Sequence, residues 1–432
     1  MLQILQDAND FLWSVPLLFI LMGTHLYFTW KLHMPQRRIL YAIKLSLGME
    51  ETGNNNLSPF SALATTLAAT LGTGNIIGVS TAVALGGPGA VFWCWITGIL
   101  GMATAYGECY LSVLFRTRQK DGTFVGGPMY VLHNGLHNKT LGAFYALCTI
   151  FAAFGSGCTT QANSATQAAA ASFHISPHVI GIALAGITGV VIIGGVKTIG
   201  NLCERIVPAI SFVYLFGCFL LLGLYHRQLP DACLWIVKDA FSLSSIAGGF
   251  VGSTLQLSLR YGIARGLFTN EAGIGTSAIA AAASGTCDAK HQAYVSMTAV
   301  FWDTVVMCLI TGLVIVSNML YDPSSVSNIP ETGLTSAAFA HLPYVGDAFL
   351  TISLMAFAVT TLIGWSYFGE KATEYLMGSK GIPYYKFFYI LMIYFGAIIP
   401  MKLVWECTDL INGLMAVPNI LALICLRRHI KS

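Results

Sequence analysis

The chain has 432 residues and a mass of 46.4 kDa, and only 9% of its residues are charged, against roughly 25% in an ordinary soluble protein. With 55% apolar residues, 12% aromatics and 44 glycines, a water-soluble fold would lack the charge to coat its own surface, so the solvent is lipid and the class is a polytopic membrane protein. A net charge of +3 from 22 scattered Lys and Arg excludes a nucleic-acid footprint.

A bilayer core needs about 20 apolar residues per helix. Polar punctuation divides the chain into eleven such segments, with approximate limits 12–30, 57–85, 89–115, 141–172, 178–196, 206–225, 245–284, 292–317, 344–369, 385–401 and 406–426. The expectation is an all-α polytopic protein of eleven transmembrane helices. No hydrophilic stretch is long enough for a separate soluble unit, so residues 1–432 read as a single membrane transport domain.

The first segment is not a secretory signal, because Asp7 and Asp10 precede it where a signal carries positive charge. Lys31, Arg37, Arg38 and Lys44 follow it, and the positive-inside rule puts them in the cytoplasm and the N-terminus outside. Alternation then gives inner segments holding Arg116, Arg118, Lys120, Lys139, Lys197, Arg205, Lys290, Lys371, Lys380, Lys386, Arg427, Arg428 and Lys431, so that 17 of the 22 basic residues share one side. Arg227, Lys238 and Lys402 fall on the other side, and Arg260 and Arg265 within a span. The spans rest on hydropathy alone, which makes this asymmetry an independent check. The C-terminus is then cytoplasmic, and the expected location is the plasma membrane, a bacterial inner membrane. The 11 cysteines, among them Cys94, Cys109, Cys148 and Cys308, show no CxxC and no paired spacing in outer loops, and read as small packing residues.

Two spans carry glycine clusters, which weaken a lipid-facing helix by about 1 kcal/mol per glycine. In the second, Gly72, Thr73, Gly74 and Asn75 fall near mid-membrane; in the seventh, the stretch from Arg260 through Gly262, Arg265, Gly266, Asn270 and Glu271 to Gly275 does the same. Non-helical backbone at that depth is tolerated only inside protein or beside a wet cavity. Glycine also serves close helix packing, but Asn75, Asn270, Glu271 and Arg265 are expensive company in lipid and point to a site. With the first span set aside as a peripheral helix, five spans from 57 to 225 and five from 245 to 426 remain, each set opening on its broken helix. Five is odd, so the halves are inverted, the pattern of a secondary transporter with its site at the repeat interface.

At these residues the sequence resembles the alanine or glycine:cation symporter family, the sodium:alanine carriers. The resemblance covers nearly the whole chain and rests on several motifs in order: Gly72-Thr73-Gly74-Asn75, Leu85-Gly86-Gly87-Pro88-Gly89-Ala90-Val91-Phe92-Trp93, Gly126-Gly127-Pro128-Met129-Tyr130, Ala264-Arg265-Gly266-Leu267-Phe268-Thr269-Asn270-Glu271-Ala272-Gly273, Gly364-Trp365-Ser366-Tyr367-Phe368-Gly369-Glu370, and Asn412-Gly413-Leu414-Met415-Ala416-Val417-Pro418-Asn419. Thr269 stands where serine is commoner, and Gln292-Ala293 where Gln-Gly is commoner. The resemblance implies the leucine-transporter-type inverted repeat and sodium-driven uptake of a small neutral amino acid such as alanine or glycine, with Na⁺ as coupling ion and no other cofactor.

For the substrate, half-helix amides around Gly72 to Asn75 suit an α-carboxylate, and freed carbonyls of the seventh span near Arg265, Gly266 and Phe268 suit the amino group. Gln161 offers donor and acceptor alike, to a ligand or to a neighbouring helix. Thr361 and Trp365 lie four apart on one helix face, where Trp365, with Phe268 opposite, would limit pocket volume. By resemblance, the carbonyls of Ala68 and Leu71 with the hydroxyls of Thr360 and Thr361 hold Na⁺; the alternative for Thr360 is a bond to its own helix backbone. Glu108, Glu271 and Asp303 are carboxyls within spans that could carry protons instead, and an Arg265–Glu271 ion pair across the second break is a structural alternative. Glu370 and Lys371 read as a solvated edge.

An enzyme is not expected: Gly72-x-Gly74-x-x-x-Gly78 imitates a dinucleotide loop but lacks the strand that must precede one. A channel is the serious alternative, although two unlike breaks in one chain favour alternating access over a symmetric pore.

Overall fold

In the computed structural model the chain is almost entirely helical. The structure describes residues 15–48, 56–242, 253–286, 288–327, 329–399 and 401–431, together with Leu5, Asp7 and Asn9; the starts of the first and seventh expected spans, 12–14 and 245–252, and the flanking Asp10 lie outside the described residues.

A helix occupies each expected span. Helix α1 is Val15–Lys31. The second span is Pro59–Thr70 (α2) and Ile77–Gly86 (α3), joined through a single 3₁₀ turn and bent by 58°. Gly89–Leu114 (α4) follows, then Lys139–Phe154 (α5) and Thr160–Phe173 (α6) joined by a π turn at Gly155–Thr159. Pro177–Ile193 (α7) and Val196–Leu224 (α8) follow. The seventh span is Ser253–Asn270 (α9) and Ser277–Ala282 (α10), and the eighth is Ala289–Val300 (α11) and Leu309–Tyr321 (α12) around a π segment at Phe301–Cys308. Gly346–Met377 (α13), Ile382–Ile398 (α14) and Met401–Cys425 (α15) end the fold.

Local chemistry sets many of the ends. Ser58 caps α2 by accepting the Ser61 amide, with Pro59 in the first turn, and Asn138 and Asp288 cap α5 and α11 in the same way. Gly378 closes α13 with φ 69°, a conformation glycine adopts without strain.

Among the described residues, seven helices are long and apolar enough to cross a membrane, and the bent α2–α3 pair, taken as one span, makes an eighth; α7 is apolar but shorter. The burial pattern is that of a protein in lipid. Ile182, Ile187 and Val190 of α7 and Phe212, Phe216 and Phe219 of α8 are exposed, while Thr65, Asn75, Asn163, Asp303 and Thr361 are buried. The most apolar stretches of α4 and α13 are each 67% buried, and that of α8 only 28%, so the first two belong to the core and the last faces the bilayer. Helix α2 lies among α8, α11 and α13, and α9 lies along α4.

The second break is not where its glycines suggest. Helix α9 runs unbroken through Gly262 and Gly266 to Asn270. A Cβ at Gly262 would meet the Ala90 carbonyl oxygen at 2.5 Å, and one at Gly266 the Cys94 carbonyl oxygen and Thr97 Cβ at 3.2 Å. These two glycines let α9 lie against α4. The break itself is 271–276, with Glu271, Gly273 and Gly275 at φ 54°, 94° and 92°.

Candidate substrate and cation site

Helix α2 stops because its next donors are taken elsewhere. The Gly72 amide donates to Asn75 Oδ1 at 2.9 Å, and the Thr73 amide to Gln161 Oε1 at 3.2 Å. Leu71 still donates to Leu67 at 2.8 Å, so the first carbonyls left without the donors of a continuous helix are those of Ala68 and Ala69. Gly72 is extended rather than left-handed, at φ −148°. Its lack of a side chain matters for space, since a Cβ there would lie 2.7 Å from Thr361 Oγ1 and 3.0 Å from Gln161 Oε1.

The released backbone meets α13. Thr361 Oγ1 lies 3.1 Å from the Leu71 carbonyl oxygen and 2.9 Å from that of Phe357, and Thr360 Oγ1 donates to the same Phe357 oxygen at 2.9 Å. Close approach is possible because Gly364 lies against Ala69, where a Cβ would come within 2.7 Å of the Ala69 nitrogen. The two hydroxyls thus meet the Leu71 and Phe357 carbonyls, and three residues before Leu71 the Ala68 carbonyl has lost its helical donor. Hard oxygen donors without formal charge are the kind of set that suits an alkali cation.

Asn75 ties the first break to the eighth span, donating to Asp303 Oδ1 at 2.7 Å and to its carbonyl oxygen at 3.2 Å. The other Asp303 oxygen accepts from Thr304 at 2.7 Å. A Cβ at Gly74 would fall 2.6 Å from Thr269 Cγ2 and 3.5 Å from Phe268 Cδ1, so the end of α9 closes directly on the first break. Thr73 Oγ1 is buried with no hydrogen-bond partner among the described residues. Trp365 is fully buried against Gly157 of the Gly155–Thr159 π turn, and Gln161 returns to that turn by donating to the Ser156 carbonyl at 3.3 Å.

The second break is held by other helices. Glu108 Oε1 of α4 accepts from the Gly273 amide at 2.8 Å and from Asn419 Nδ2 at 2.6 Å, and Asn419 Nδ2 also donates to the Gly273 carbonyl at 2.8 Å. Tyr145 Oη donates to the Ile274 carbonyl at 2.8 Å, and Asn270 Oδ1 accepts the Ala272 amide at 3.0 Å. Glu271 accepts from the Thr276 hydroxyl.

Most of the residues singled out in the sequence are therefore neighbours: Ala68, Leu71, Gly72, Thr73, Gly74, Asn75, Gln161, Phe268, Thr360 and Thr361. Three expectations are corrected. The backbone from Arg265 to Phe268 is helical, and the Arg265 and Gly266 carbonyls accept the Thr269 hydroxyl at 3.1 and 2.9 Å, so it offers no freed carbonyl row for an amino group. Arg265 pairs at 3.5 Å with Asp409 of α15, not with Glu271, because the helical path to Asn270 and the turn after it carry Glu271 toward Thr276. Glu370 and Lys371 are not a solvated edge: Glu370 is 5% exposed and pairs with Lys386 at 3.1 Å, and Lys371 pairs with Glu374 at 2.7 Å. Sequence reasoning missed the Phe357 carbonyl, Tyr145 and the bracing role of Glu108 with Asn419. Only the i, i+3, i+4 spacing of Phe357, Thr360 and Thr361 offered a signal for the first of these.

The chain is 41% identical to the sodium/alanine symporter AgcS of Methanococcus maripaludis, over 98% of this chain and 94% of that one. It is 40% identical to an uncharacterized transporter of Haemophilus influenzae, over 99% and 94%, and 35% identical to the probable sodium/glutamine symporter GlnT of Bacillus subtilis, over 98% and 87%. Among solved structures, a Na⁺-coupled sialic acid symporter shares the fold with a TM-score of 0.52 at 12% identity, over 94% of this chain and 81% of that one. A manganese transporter of Eremococcus coleocola does so with a TM-score of 0.52 at 16% identity, over 84% and 75%. The model of the sodium:alanine symporter family matches residues 1–432. This multi-pass chain belongs to the sodium:alanine symporter family, and is a secondary transporter of amino acids rather than an enzyme.

Proposed function

We propose that the protein imports a small neutral amino acid of the alanine or glycine class together with Na⁺, by alternating access. It does so as one membrane domain of eleven spans, with α1 peripheral and inverted halves at 57–225 and 245–426. The observation that carries the coupling ion is the meeting of the Thr360 and Thr361 hydroxyls with the Leu71 and Phe357 carbonyls at the first break, to which the Ala68 carbonyl, freed of its helical donor, adds a further ligand in this reading. Those hydroxyls now donate to carbonyls. On cation binding they turn their lone pairs to the ion, which neutralises the repulsion among the converging oxygens.

The substrate carboxylate takes the amides of Gly72 to Asn75. Thr73 is the entry point, because among the described residues its amide bonds to the movable Gln161 amide group and its hydroxyl has no partner. The Gln161 oxygen released in this way becomes an acceptor for the α-amino group, replacing the carbonyls near Gly266. Phe268 closes one wall and Trp365, with Thr361 a turn away, limits the volume to a short side chain. Gly266 contributes by letting α9 lie against α4, which sets the position of Phe268. The names of the relatives, one a sodium/alanine and one a probable sodium/glutamine symporter, support this substrate class and this ion. Basic residues gathered on one side support a bacterial inner-membrane location with the N-terminus outside and the C-terminus in the cytoplasm.

Radiolabelled alanine uptake into proteoliposomes tests the reading. An inward Na⁺ gradient should drive accumulation, and saturable counterflow should be present; equal uptake with Na⁺ replaced by choline or by a proton gradient would overturn sodium coupling, and unsaturable flux would favour a channel. Asn75→Ala and Thr361→Ala should each lower uptake by about 10- to 100-fold, the effect of removing one or two buried hydrogen bonds, while membrane insertion persists. Near-normal uptake in both would sink the site.

A further inference from the structure

The two ends of the broken helices are treated differently. On the side of the Gly346 end of α13, a cavity of about 550 Å³ descends to Ile76 and Ile77, the residues immediately after the first break. Ala168 and Leu354 line its wall, and exposed Ser336 and Asp347 mark its rim. On the opposite face the path is shut. The chain entering α2 and the chain leaving α10 form a short parallel bridge, in which the Leu57 amide donates to the Ala283 carbonyl at 3.1 Å and the Gly285 amide to the Leu57 carbonyl at 2.9 Å.

Arg116, two residues past the end of α4, sits across this junction. Its Nη1 donates to the carbonyls of Ala282 and Ser284 at 3.2 and 2.6 Å, and its Nη2 to that of Thr286 at 2.8 Å. The guanidinium carbon lies over the Phe124 ring, 3.6 Å from its centre. Phe124 belongs to a two-stranded hairpin, Thr117–Arg118 with Phe124–Val125, and its amide donates at 3.0 Å to Asn56, the residue before the bridge. A cation with a planar fork suits a helix C-terminus, where carbonyls point outward and the backbone dipole is negative. Behind the junction Ser112 Oγ donates to the Ala278 carbonyl at 2.7 Å, and Cys109 is fully buried beside Ser277.

We propose that Arg116 is a positioning residue of the transport cycle, the latch that holds both broken helices closed on the basic face while the site is open on the other. The inference rests on the alternating-access reading above. Release toward the basic face requires α10 or the start of α2 to leave this junction, and the three carbonyls on α10 and the strand after it must then quit the fork. Charge-assisted bonds of this kind are roughly twice as strong as neutral ones. The latch therefore sets the balance between the two open states without touching the amino acid or the ion.

Site-resolved maleimide labelling of the purified full-length protein, read by mass spectrometry, tests this with two reporters. Native Cys109 lies behind the latch, and Ala168→Cys places a thiol in the cavity. Adding Arg116→Ala should speed labelling of Cys109 by about tenfold and slow that of the Ala168→Cys thiol several-fold, as a shift between two states requires. Arg116→Lys, which keeps the charge but not the fork, should move both rates in the same directions by less, and serves if the alanine variant does not fold. An unchanged Cys109 rate overturns the latch. So does a rise at both thiols together, which is a loosened fold and not a change of state. Alanine uptake by the unsubstituted protein is measured on the same preparation; its absence would count against the transport reading, whereas the paired labelling rates judge the latch by themselves.

Discussion

The two broken helices meet where Gly74 lies against Thr269, and their breaks differ in how they are made. At the first, glycine is needed for closeness: Gly72 is extended, and its missing side chain admits Thr361 and Gln161. At the second, glycine is needed for direction: Gly273 and Gly275 carry positive φ, and the turn is braced by Glu108, Asn419 and Tyr145 from three other helices. The first break is bonded through single side-chain contacts from Asn75 and Gln161, the second through a network drawn from three other helices. In the proposed function, ligand chemistry belongs to the first, and the second positions the wall that faces it.

Alanine substitutions should separate these roles. Gly72→Ala puts a methyl between Thr361 and Gln161 without backbone strain, so alanine uptake should fall by about 10- to 100-fold while fluorescence-monitored thermal unfolding in detergent changes little. Gly275→Ala forces a side chain into a left-handed backbone, where its Cβ would lie 2.6 Å from Pro128 Cγ and 2.8 Å from Asn419 Cγ. It should lower stability by about 1–3 kcal/mol from the backbone alone and reduce uptake only as folded protein is lost. The opposite pattern would dissolve the distinction.

A smaller effect locates the charge beside the second break. Arg265 bonds to Asp409, and both side chains are partly exposed. A double-mutant cycle of Arg265→Ala with Asp409→Asn should show coupling of about 0.5–1 kcal/mol in thermal stability, whereas Arg265→Ala with Glu271→Gln should be additive. Coupling to Glu271 instead would restore the ion pair that the sequence suggests. The smallest expected effect is Gly78→Ala. Nothing lies within 4 Å of a Cβ at this helical glycine just past the first break, so the substitution should stabilise the protein by about 0.4–1 kcal/mol with uptake unchanged. A marked loss of uptake would show that α3 must bend during transport.

Several parts of the site were legible in the sequence because they depend on residue type at a given spacing. Thr360 and Thr361 are adjacent hydroxyls, Gln161 is an amide too polar for lipid, and Gly72-Thr73-Gly74-Asn75 is a run that no continuous membrane helix favours. The second break was misplaced because Gly262 and Gly266 look the same in sequence as Gly273 and Gly275, although the first pair serves packing against α4 and the second pair serves turning. The π segments at Gly155–Thr159 and Phe301–Cys308 were not foreseen at all, since an extra residue in a helix ladder follows from what packs beside it. Gly157 under Trp365 is such a case.

By itself the sequence determined the solvent, the succession of apolar segments, the side that gathers the basic residues and the family. These are properties of composition and local pattern, which a linear chain carries without folding. Only the tertiary structure decided which carbonyls are released at Ala68 and Ala69, which carboxylates brace and which pair, and that Arg116 binds the chain leaving α10 while a cavity reaches Ile76 and Ile77 from the opposite side. Several of those depend on atoms separated by scores or hundreds of residues, such as Asn75 with Asp303 or Glu108 with Asn419. In a low-dielectric interior an unpartnered polar group is costly, and packing chooses which partner each bonded group finds.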